Sequence, residues 1–203
     1  MNYLAIDTCA DHLTVIAKVG EKESTSYISD SGVKHSEQLM VEVERVLNNI
    51  GATVKDMDVF CAVVGPGSFT GIRIGVATVK GFADATGKKV LGVTSFDTLA
   101  YNVKCGKVFA VIDANHGHSY ACGYEDGKVT VEPQFIDNNT LNRLIDGLSA
   151  LSYAPIDGVK TTAADPAKGL KAAVEVNLDK ATYCVNDLRP FYLRLSQAEE
   201  GRK

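Results

Sequence analysis

The feature of this sequence that most restricts its possible folds is a similarity between its two halves. YLAIDTCADHLTVIAKVGEKEST, from Tyr3, and VFAVIDANHGHSYACGYEDGKVTVE, from Val108, follow the same pattern. Each reads as an apolar strand ending in an aspartate (Asp7 or Asp113), a polar turn, a second strand, a glycine turn and a third strand. A repeated pattern of this kind predicts two lobes, each of which opens with a three-stranded meander.

The elements that follow the first meander predict the fold class. Apolar residues recur at helical spacing over Ser36–Ile50, with Ser36 as the N-cap and Gly51 just beyond the end. DVFCAVVG and KKVLGV are unbroken apolar runs, typical of strands buried on both faces of a sheet, and a second helix lies between them. The order β-β-β-α-β-α-β predicts an α/β lobe with a mixed sheet and a right-handed crossover, which is the ribonuclease-H-like layout.

The second half of the chain carries weaker patterns, and they do not predict the order of strands in its sheet. The predicted elements are helices near Thr140–Leu148 and Ala167–Val174, a strand at TYCVND, a loop near Asp157–Asp165 and a fraying end at SQAEEGRK. We expect an N-terminal lobe over residues 1–103 and a smaller C-terminal lobe over residues 104–203.

Composition excludes several classes of protein. With 45% hydrophobic and 23% charged residues, the 203-residue chain resembles an ordinary globular protein. It has neither a basic, apolar leader nor a run long enough to span a bilayer, so we expect a cytoplasmic protein. Five cysteines without a C-x-x-C pair predict reduced, mostly buried thiols. A net charge of -4 disfavours binding nucleic acid without a partner.

GPGSFTGIRIG has the outline of a phosphate-binding loop but lacks the charged residues of one. A P-loop needs a lysine after its last glycine, and a dinucleotide fingerprint needs an acidic residue about twenty positions further on. The chain instead has two rows of small residues spaced four apart: Gly71 and Gly75, and Ala77, Gly81 and Ala85. Such rows are neighbours on one helix face, so we predict that the helix over Thr70–Thr86 packs closely against other backbones.

The two helices of the first lobe are together predicted to form a dimerisation face. One sheet covers only one side of each helix, whereas apolar and small positions extend further around both. The predicted interface residues are Met40, Val43, Leu47, Gly71, Ile72, Gly75, Val76 and Val79. Two helices from each of two chains would form a four-helix junction, which could serve a homodimer or a heterodimer.

Several stretches together resemble the TsaB family, also called YeaZ, of bacterial proteins in the tRNA threonylcarbamoyladenosine pathway. They are AIDTC, HSEQLM, GPGSFTGIRIGVATVKGFA, GVTSFDTLA, VIDANHGHSY and PFYLRLSQAEE. The resemblance implies the fold of the acetate kinase, sugar kinase, Hsp70 and actin superfamily, which agrees with the duplicated meanders. It carries no recognisable motif over Glu125–Leu188, and the second lobe looks short for the family.

The resemblance also implies a function. It indicates a non-catalytic subunit required for threonylcarbamoyl transfer to the adenosine beside the anticodon of tRNAs that read A-starting codons. The implied partners are a TsaD-like catalytic subunit that this chain binds and activates, a TsaE-like ATPase in the complex, and a second copy of the chain when it is alone. The implied contact with tRNA is only through the complex, and no membrane is involved.

The catalytic relative TsaD carries a metal-binding H-x-x-x-H, and the corresponding positions here are Ser95 and Leu99. Neither a hydroxyl nor a hydrocarbon replaces an imidazole as an iron or zinc ligand. We therefore expect no metal, no cofactor and no catalytic residue. An ATPase or kinase of the same superfamily is the alternative function, and a metallopeptidase is a weaker one.

Four polar residues have both a chemical and a structural interpretation. Asp7 and Asp113 end their strands where kinase-like relatives place magnesium and phosphate ligands, but the residues that follow them favour turn-forming aspartates. His116 and His118 form an H-x-H pair that could chelate a metal, although a solvated turn is the favoured interpretation.

Three further residues are assigned structural roles from their positions. We expect His35 to flank the start of the first helix. Tyr192 and Arg194 are expected to dock the C-terminal segment. Pro190 is expected to prevent the preceding strand from continuing into this segment.

Overall fold

Two five-stranded sheets form the framework of the protein in the computed structural model, which describes residues 1–29 and 35–194. The first sheet contains β1 (Tyr3–Asp7), β2 (Leu13–Val19), β3 (Lys22–Ile28), β4 (Val59–Val63) and β5 (Lys89–Val93). The second sheet contains β6 (Lys107–Asp113), β7 (His118–Glu125), β8 (Lys128–Asp137), β9 (Ser149–Ser152) and β10 (Thr162–Ala163).

Both sheets have the same topology. The strand orders are β3-β2-β1-β4-β5 and, read in the matching direction, β8-β7-β6-β9-β10. In each sheet three antiparallel strands form a meander, and two further strands run parallel to its first strand. This confirms the predicted duplication and the predicted fold class, two α/β lobes of ribonuclease-H-like layout.

The helices of the described residues are α1 (His35–Ile50), α2 (Phe69–Thr86), α3 (Ser95–Ala100), α4 (Asn138–Leu144) and α5 (Pro166–Asn177). All of them except α3 lie close to predicted positions. The helix α1 includes His35, so Ser36 lies in its first turn and is not the N-cap that was predicted. Ser68 caps α2 by accepting a hydrogen bond from the Gly71 N–H, and Gly87 ends that helix in the left-handed conformation.

The helices cover both faces of each sheet. On one face of the first sheet, Ser26 of β3 bonds Glu42 of α1 and Ile6 of β1 lies beside Gly75 of α2. The opposite face is covered by α5, whose Leu170, Ala173 and Val174 join the first-lobe core. Two separate apolar clusters line the second sheet, with α3 in one and α4 in the other.

The helix α5 connects the two lobes. The sequence places α5 in the second half of the chain, but its apolar residues complete the core of the first lobe. It crosses α3 closely, since a β-carbon on Gly169 would lie 1.8 Å from the Thr98 carbonyl oxygen. The predicted boundary between residues 103 and 104 stays a prediction.

Other sequence predictions meet mixed outcomes. TYCVND is not a strand: Thr182 makes a single antiparallel bridge with Val90, and Val185–Asp187 is a short 3-10 helix. The helix predicted near Thr140–Leu148 starts at Asn138 and ends at Leu144, shortly before Gly147 turns the chain at φ +72°. The strands β9 and β10 and the helix α3 were not predicted, and the tail SQAEEGRK lies outside the described residues.

The cysteines are free thiols, and Cys9, Cys61 and Cys122 are buried as predicted for most of them. Burial raises the pKa of Cys122 to about 12 and raises the pKa of Cys9 and Cys61 still further. Among the residues the structure describes, no helix combines the length and the apolar character needed to cross a bilayer.

The two rows of small residues on α2 face in different directions. A β-carbon on Gly71 would lie 1.8 Å from the Thr8 carbonyl oxygen, and one on Gly75 would lie 2.6 Å from the Thr8 hydroxyl oxygen. The predicted close approach is therefore made to the end of β1 in the same chain. By contrast, Ala77, Gly81 and Ala85 are exposed, and nothing lies within 4 Å of a β-carbon on Gly81.

We predict opposite effects for alanine in the two rows. Gly71→Ala should lower the free energy of unfolding by about 2–3 kcal/mol, because its methyl group collides with the Thr8 carbonyl group. The control Gly81→Ala should raise it by up to about 1 kcal/mol, because alanine favours a helix and meets open space. Urea titration would measure both, and equal stabilities for the two variants would contradict this packing.

Candidate partner face and lobe junction

The end of β1 carries the aspartate that the sequence placed at a kinase-like position. One Asp7 carboxylate oxygen accepts a hydrogen bond from the Cys9 N–H at 2.8 Å. The other lies 3.2 Å from Nε2 of His12, and both side chains are buried. The predicted turn-forming role of Asp7 is confirmed, and the structure adds a buried histidine partner that the sequence did not reveal.

His12 connects this pair to the second lobe. The ring of Tyr153, which follows β9, meets the His12 ring edge-on at 4.7 Å. The Tyr153 hydroxyl is hydrogen-bonded to the Thr98 hydroxyl on α3. Nε2 of His35 donates to the His12 carbonyl oxygen at 3.2 Å, at the first residue of α1 as expected. Residues from both lobes thus meet around one buried carboxylate.

The chemistry of this cluster favours a structural role. Burial raises the pKa of the Tyr153 hydroxyl and of the Cys9 thiol, and the Asp7 carboxylate raises both further. Both groups are therefore held in their protonated form at neutral pH, in which a thiol or phenol is a weak nucleophile. We name Asp7, His12, Thr98 and Tyr153 the lobe junction.

Asp113 occupies the matching position in the second lobe but has different surroundings. Its carboxylate accepts a hydrogen bond from the Asn115 N–H at 2.8 Å, and its side chain is exposed. The turn continues with His116 in the left-handed region at φ +54°. The turn-forming role predicted for Asp113 is confirmed.

The histidine pair belongs to the same turn. Nδ1 of His118 donates to the His116 carbonyl oxygen at 2.9 Å. The His118 ring stacks on Phe135 with centroids 4.7 Å apart and an angle of 3° between the rings. This agrees with the solvated turn that was the favoured interpretation, because His116 is exposed, while the His118 ring stacks on Phe135 of β8.

The positions that correspond to metal ligands in TsaD lie on α3. Thr94 and Asp97 form a capping box at the start of this helix. Ser95 and Leu99, one turn apart, are both fully buried, and Leu99 packs in the apolar core of the second lobe. A leucine in this environment contributes only to packing.

The glycine loop before α2 is used for backbone contacts. The Ser68 N–H donates to the Cys9 carbonyl oxygen at 2.7 Å, and the Ser95 N–H donates to the Gly65 carbonyl oxygen at 2.8 Å. A β-carbon on Gly67 would lie 2.2 Å from the Cys9 carbonyl oxygen. Glycine is therefore needed here so that the loop can lie against the end of β1.

The residues predicted for the dimerisation face do not all reach the surface. Met40 is 52% exposed, but seven others lie against the chain's own sheet: Val43, Leu47, Gly71, Ile72, Gly75, Val76 and Val79. The physical reason is that these seven form the inward stripe of each helix, which completes the first-lobe core. The face itself stays a prediction, and any contact there has to be made by the outward residues.

Six of the outward residues of the two helices are apolar, small or basic. On α1, Met40 is joined by Val41, which is 60% exposed. Among the exposed residues of α2, Arg73, Ala77, Gly81 and Ala85 form a row in which each lies four positions after the last. We name these six residues the outer face. Sequence periodicity could have separated them from the inward stripe, since the two sets alternate along each helix.

The structure also shows residues that sequence reasoning missed. His12, Thr98 and Tyr153 come from three distant parts of the chain, and no local pattern marks them. Phe69 and Arg73 lie within a recognised motif, but their contact with Tyr192 is tertiary.

Two lobes of the same ribonuclease-H-like strand order define a protein of the acetate kinase, sugar kinase, Hsp70 and actin superfamily. The family model of TsaD, tRNA N6-adenosine threonylcarbamoyltransferase, matches residues 26–186. With YeaZ from Pseudomonas aeruginosa the structure has a TM-score of 0.80 at 22% identity, covering 95% of this chain and 99% of that one. That similarity concerns the fold.

Similar curated proteins refine this placement. The tRNA threonylcarbamoyladenosine biosynthesis protein TsaB of Bacillus subtilis (strain 168) is 31% identical over 153 residues, or 74% of this chain and 66% of that protein. The protein of the same name from Escherichia coli (strain K12) is 30% identical over 129 residues, or 62% of this chain and 55% of that protein. The matches thus span 55% to 66% of these relatives. The chain belongs to the TsaB (YeaZ) family.

We predict that the two matching aspartates differ in their contribution to stability. Asp7→Ala should lower the free energy of unfolding by about 3–5 kcal/mol, because it leaves His12 and the Cys9 N–H buried without their acceptor. Asp113→Ala should cost only about 1 kcal/mol, because it removes one exposed turn hydrogen bond. Chemical denaturation would compare the two, and similar losses would contradict the role given to the lobe junction.

Proposed function

We propose that this chain is the non-catalytic subunit required for threonylcarbamoyl transfer to the adenosine beside the anticodon in tRNAs that read A-starting codons. It acts by binding and activating a TsaD-like catalytic subunit. The names of the two TsaB relatives and the match to the TsaD family model support the pathway. The observation that carries the non-catalytic role is Leu99, a hydrocarbon in an apolar core at a position where the catalytic relative has a metal-binding imidazole.

The proposal extends to partners and location. The complex contains a TsaE-like ATPase, tRNA is reached only through the complex, the chain forms a homodimer when alone, and all of this takes place in the cytoplasm. The net charge of -4 supports indirect contact with tRNA, because neutralising a phosphate backbone requires a basic surface.

The partner is proposed to bind at the outer face of α1 and α2. Met40 and Val41 are exposed apolar side chains on α1. The exposed residues Ala77, Gly81 and Ala85 have small side chains or none, so no bulky group projects from this part of α2. Apolar side chains beside a strip without bulky groups allow the helices of a partner to approach closely. Homodimer and heterodimer would then compete for one surface by mass action.

Omitting the chain from a reconstituted pathway should abolish the modification or greatly reduce it. The assay would measure threonylcarbamoyladenosine in tRNA with and without this chain, at fixed amounts of the other components. The chain alone should hydrolyse no ATP. Full modification in its absence would overturn the proposed function, and ATP turnover by the isolated chain would favour the kinase or ATPase alternative.

The outer face is tested by adding bulk where the structure leaves space. Gly81→Leu should weaken binding of the TsaD-like subunit and homodimerisation by at least about tenfold, because the new side chain projects from the face. Folding should be retained, since leucine favours a helix more than glycine does. Gly75→Leu would be unsuitable, because Thr8 fills that space.

A matched control is Val176→Leu on α5, an exposed helical position on the opposite face of the first sheet. The control variant should have the same oligomeric state as the wild type in light scattering and the same affinity for the TsaD-like subunit in a titration. If Gly81→Leu also assembles normally, the outer face is not the interface.

A further inference from the structure

The last described segment of the chain lies across both lobes. Leu188 is buried in the first-lobe core, and the Phe191 N–H donates to the Val64 carbonyl oxygen at 2.7 Å. Phe191 packs against both the first-lobe core and the α3 side of the second sheet, and Leu193 packs on the latter. This course places Tyr192, between them, beside the start of α2.

Tyr192 forms a three-residue stack with the first turns of α2. Its ring lies on the Phe69 ring, with centroids 4.1 Å apart and an angle of 6° between the planes. Nε of Arg73 donates to the Tyr192 hydroxyl oxygen at 3.0 Å. The Arg73 guanidinium carbon lies 5.0 Å from the Phe69 centroid and 5.9 Å from that of Tyr192. The expected docking role of Tyr192 is thus accompanied by the fixing of an arginine.

Arg73 is held in position, and no described residue accepts a hydrogen bond from its terminal N–H groups. Its contacts use Nε and the face of the guanidinium group, while its side chain is exposed. Within residues 1–29 and 35–194, no carboxylate forms an ion pair with it. A guanidinium group held by stacking loses little further freedom when its terminal N–H groups bind a planar oxyanion in a two-pronged manner.

The position of Arg73 connects this group to the outer face. Arg73 is the first residue of the exposed row that continues with Ala77, Gly81 and Ala85. Arginine and tyrosine are among the residue types that most often dominate the energy of protein interfaces. An oxyanion bound to Arg73 would therefore come from the partner that covers Ala77, Gly81 and Ala85.

We infer that Arg73, positioned by Phe69 and Tyr192, binds a carboxylate of the protein that covers the outer face, the TsaD-like subunit. A carboxylate fits better than an RNA phosphate because Met40 and Val41, which belong to the outer face with Arg73, are apolar. A phosphate backbone would instead require several basic side chains together. This inference rests on the proposed function and adds the chemistry of one contact.

The test is a titration of the wild-type chain and its variants with the TsaD-like subunit at low and high salt. Arg73→Gln should weaken binding by at least about tenfold at low salt and flatten the salt dependence, because it removes an intermolecular ion pair. Arg73→Lys should restore only part of the affinity, because an ammonium group lacks the planar fork. The control Arg143→Gln removes an exposed arginine on α4 and should bind as the wild type does.

Tyr192 is tested as a positioning residue. Tyr192→Phe keeps the stack and loses the acceptor for Nε, so its binding should fall between those of the wild type and Tyr192→Ala. Combining Tyr192→Ala with Arg73→Gln should weaken binding little beyond Arg73→Gln alone, because Tyr192 acts through Arg73. Thermal unfolding of each variant verifies that the fold is intact.

Each result has a defined meaning. Unchanged affinity and salt dependence in Arg73→Gln, with a wild type that binds, would overturn this inference and leave the proposed function standing. An effect confined to homodimerisation or to binding of bare tRNA would also overturn it, since the ligand would then be a second copy or a phosphate. A wild-type chain that fails to bind the TsaD-like subunit would overturn the proposed function and this inference together.

Discussion

The rest of the structure depends on the contact between α2 and the end of β1. Thr8 fills the space left by Gly71 and Gly75, and its hydroxyl donates to the Gly71 carbonyl oxygen at 2.7 Å. Because helix and strand approach to backbone distance there, the rotation of α2 about its own axis is fixed. That rotation determines which side chains of α2 complete the core and which ones reach solvent. The outer face therefore depends on having glycine at positions 71 and 75.

The two lobes are held together by contacts of different kinds. At Gly169, α3 and α5 cross without an intervening side chain. At the lobe junction, Asp7 bonds His12, whose ring meets Tyr153 of the other lobe. The contact at Gly169 depends on close backbone packing, whereas the lobe junction depends on hydrogen-bond partners for the buried Asp7 carboxylate.

The sequence was sufficient to predict the features that depend on local periodicity. The meanders, α1, α2 and the strands β4 and β5 follow from apolar spacing and glycine turns, and the duplication predicted two lobes that each open with a meander. The predicted interface list included core residues because it was based on apolar character, which does not distinguish Val79 in the core from Val41 at the surface, whereas the spacing along each helix does. Short elements such as β9 and α3 contain too few residues for a strand or helix periodicity to be recognised in the sequence. Contacts such as His12 with Tyr153 are set by tertiary structure.

The position of α5 has a consequence for synthesis of the protein on the ribosome. One face of the first sheet presents apolar side chains that Leu170, Ala173 and Val174 of α5 help to cover. A nascent chain that has exposed β1 to β5 therefore carries an open apolar sheet until some eighty further residues have emerged, about four to sixteen seconds at bacterial elongation rates. During that interval the first half requires shielding, so the duplicated lobes mature together rather than one after the other.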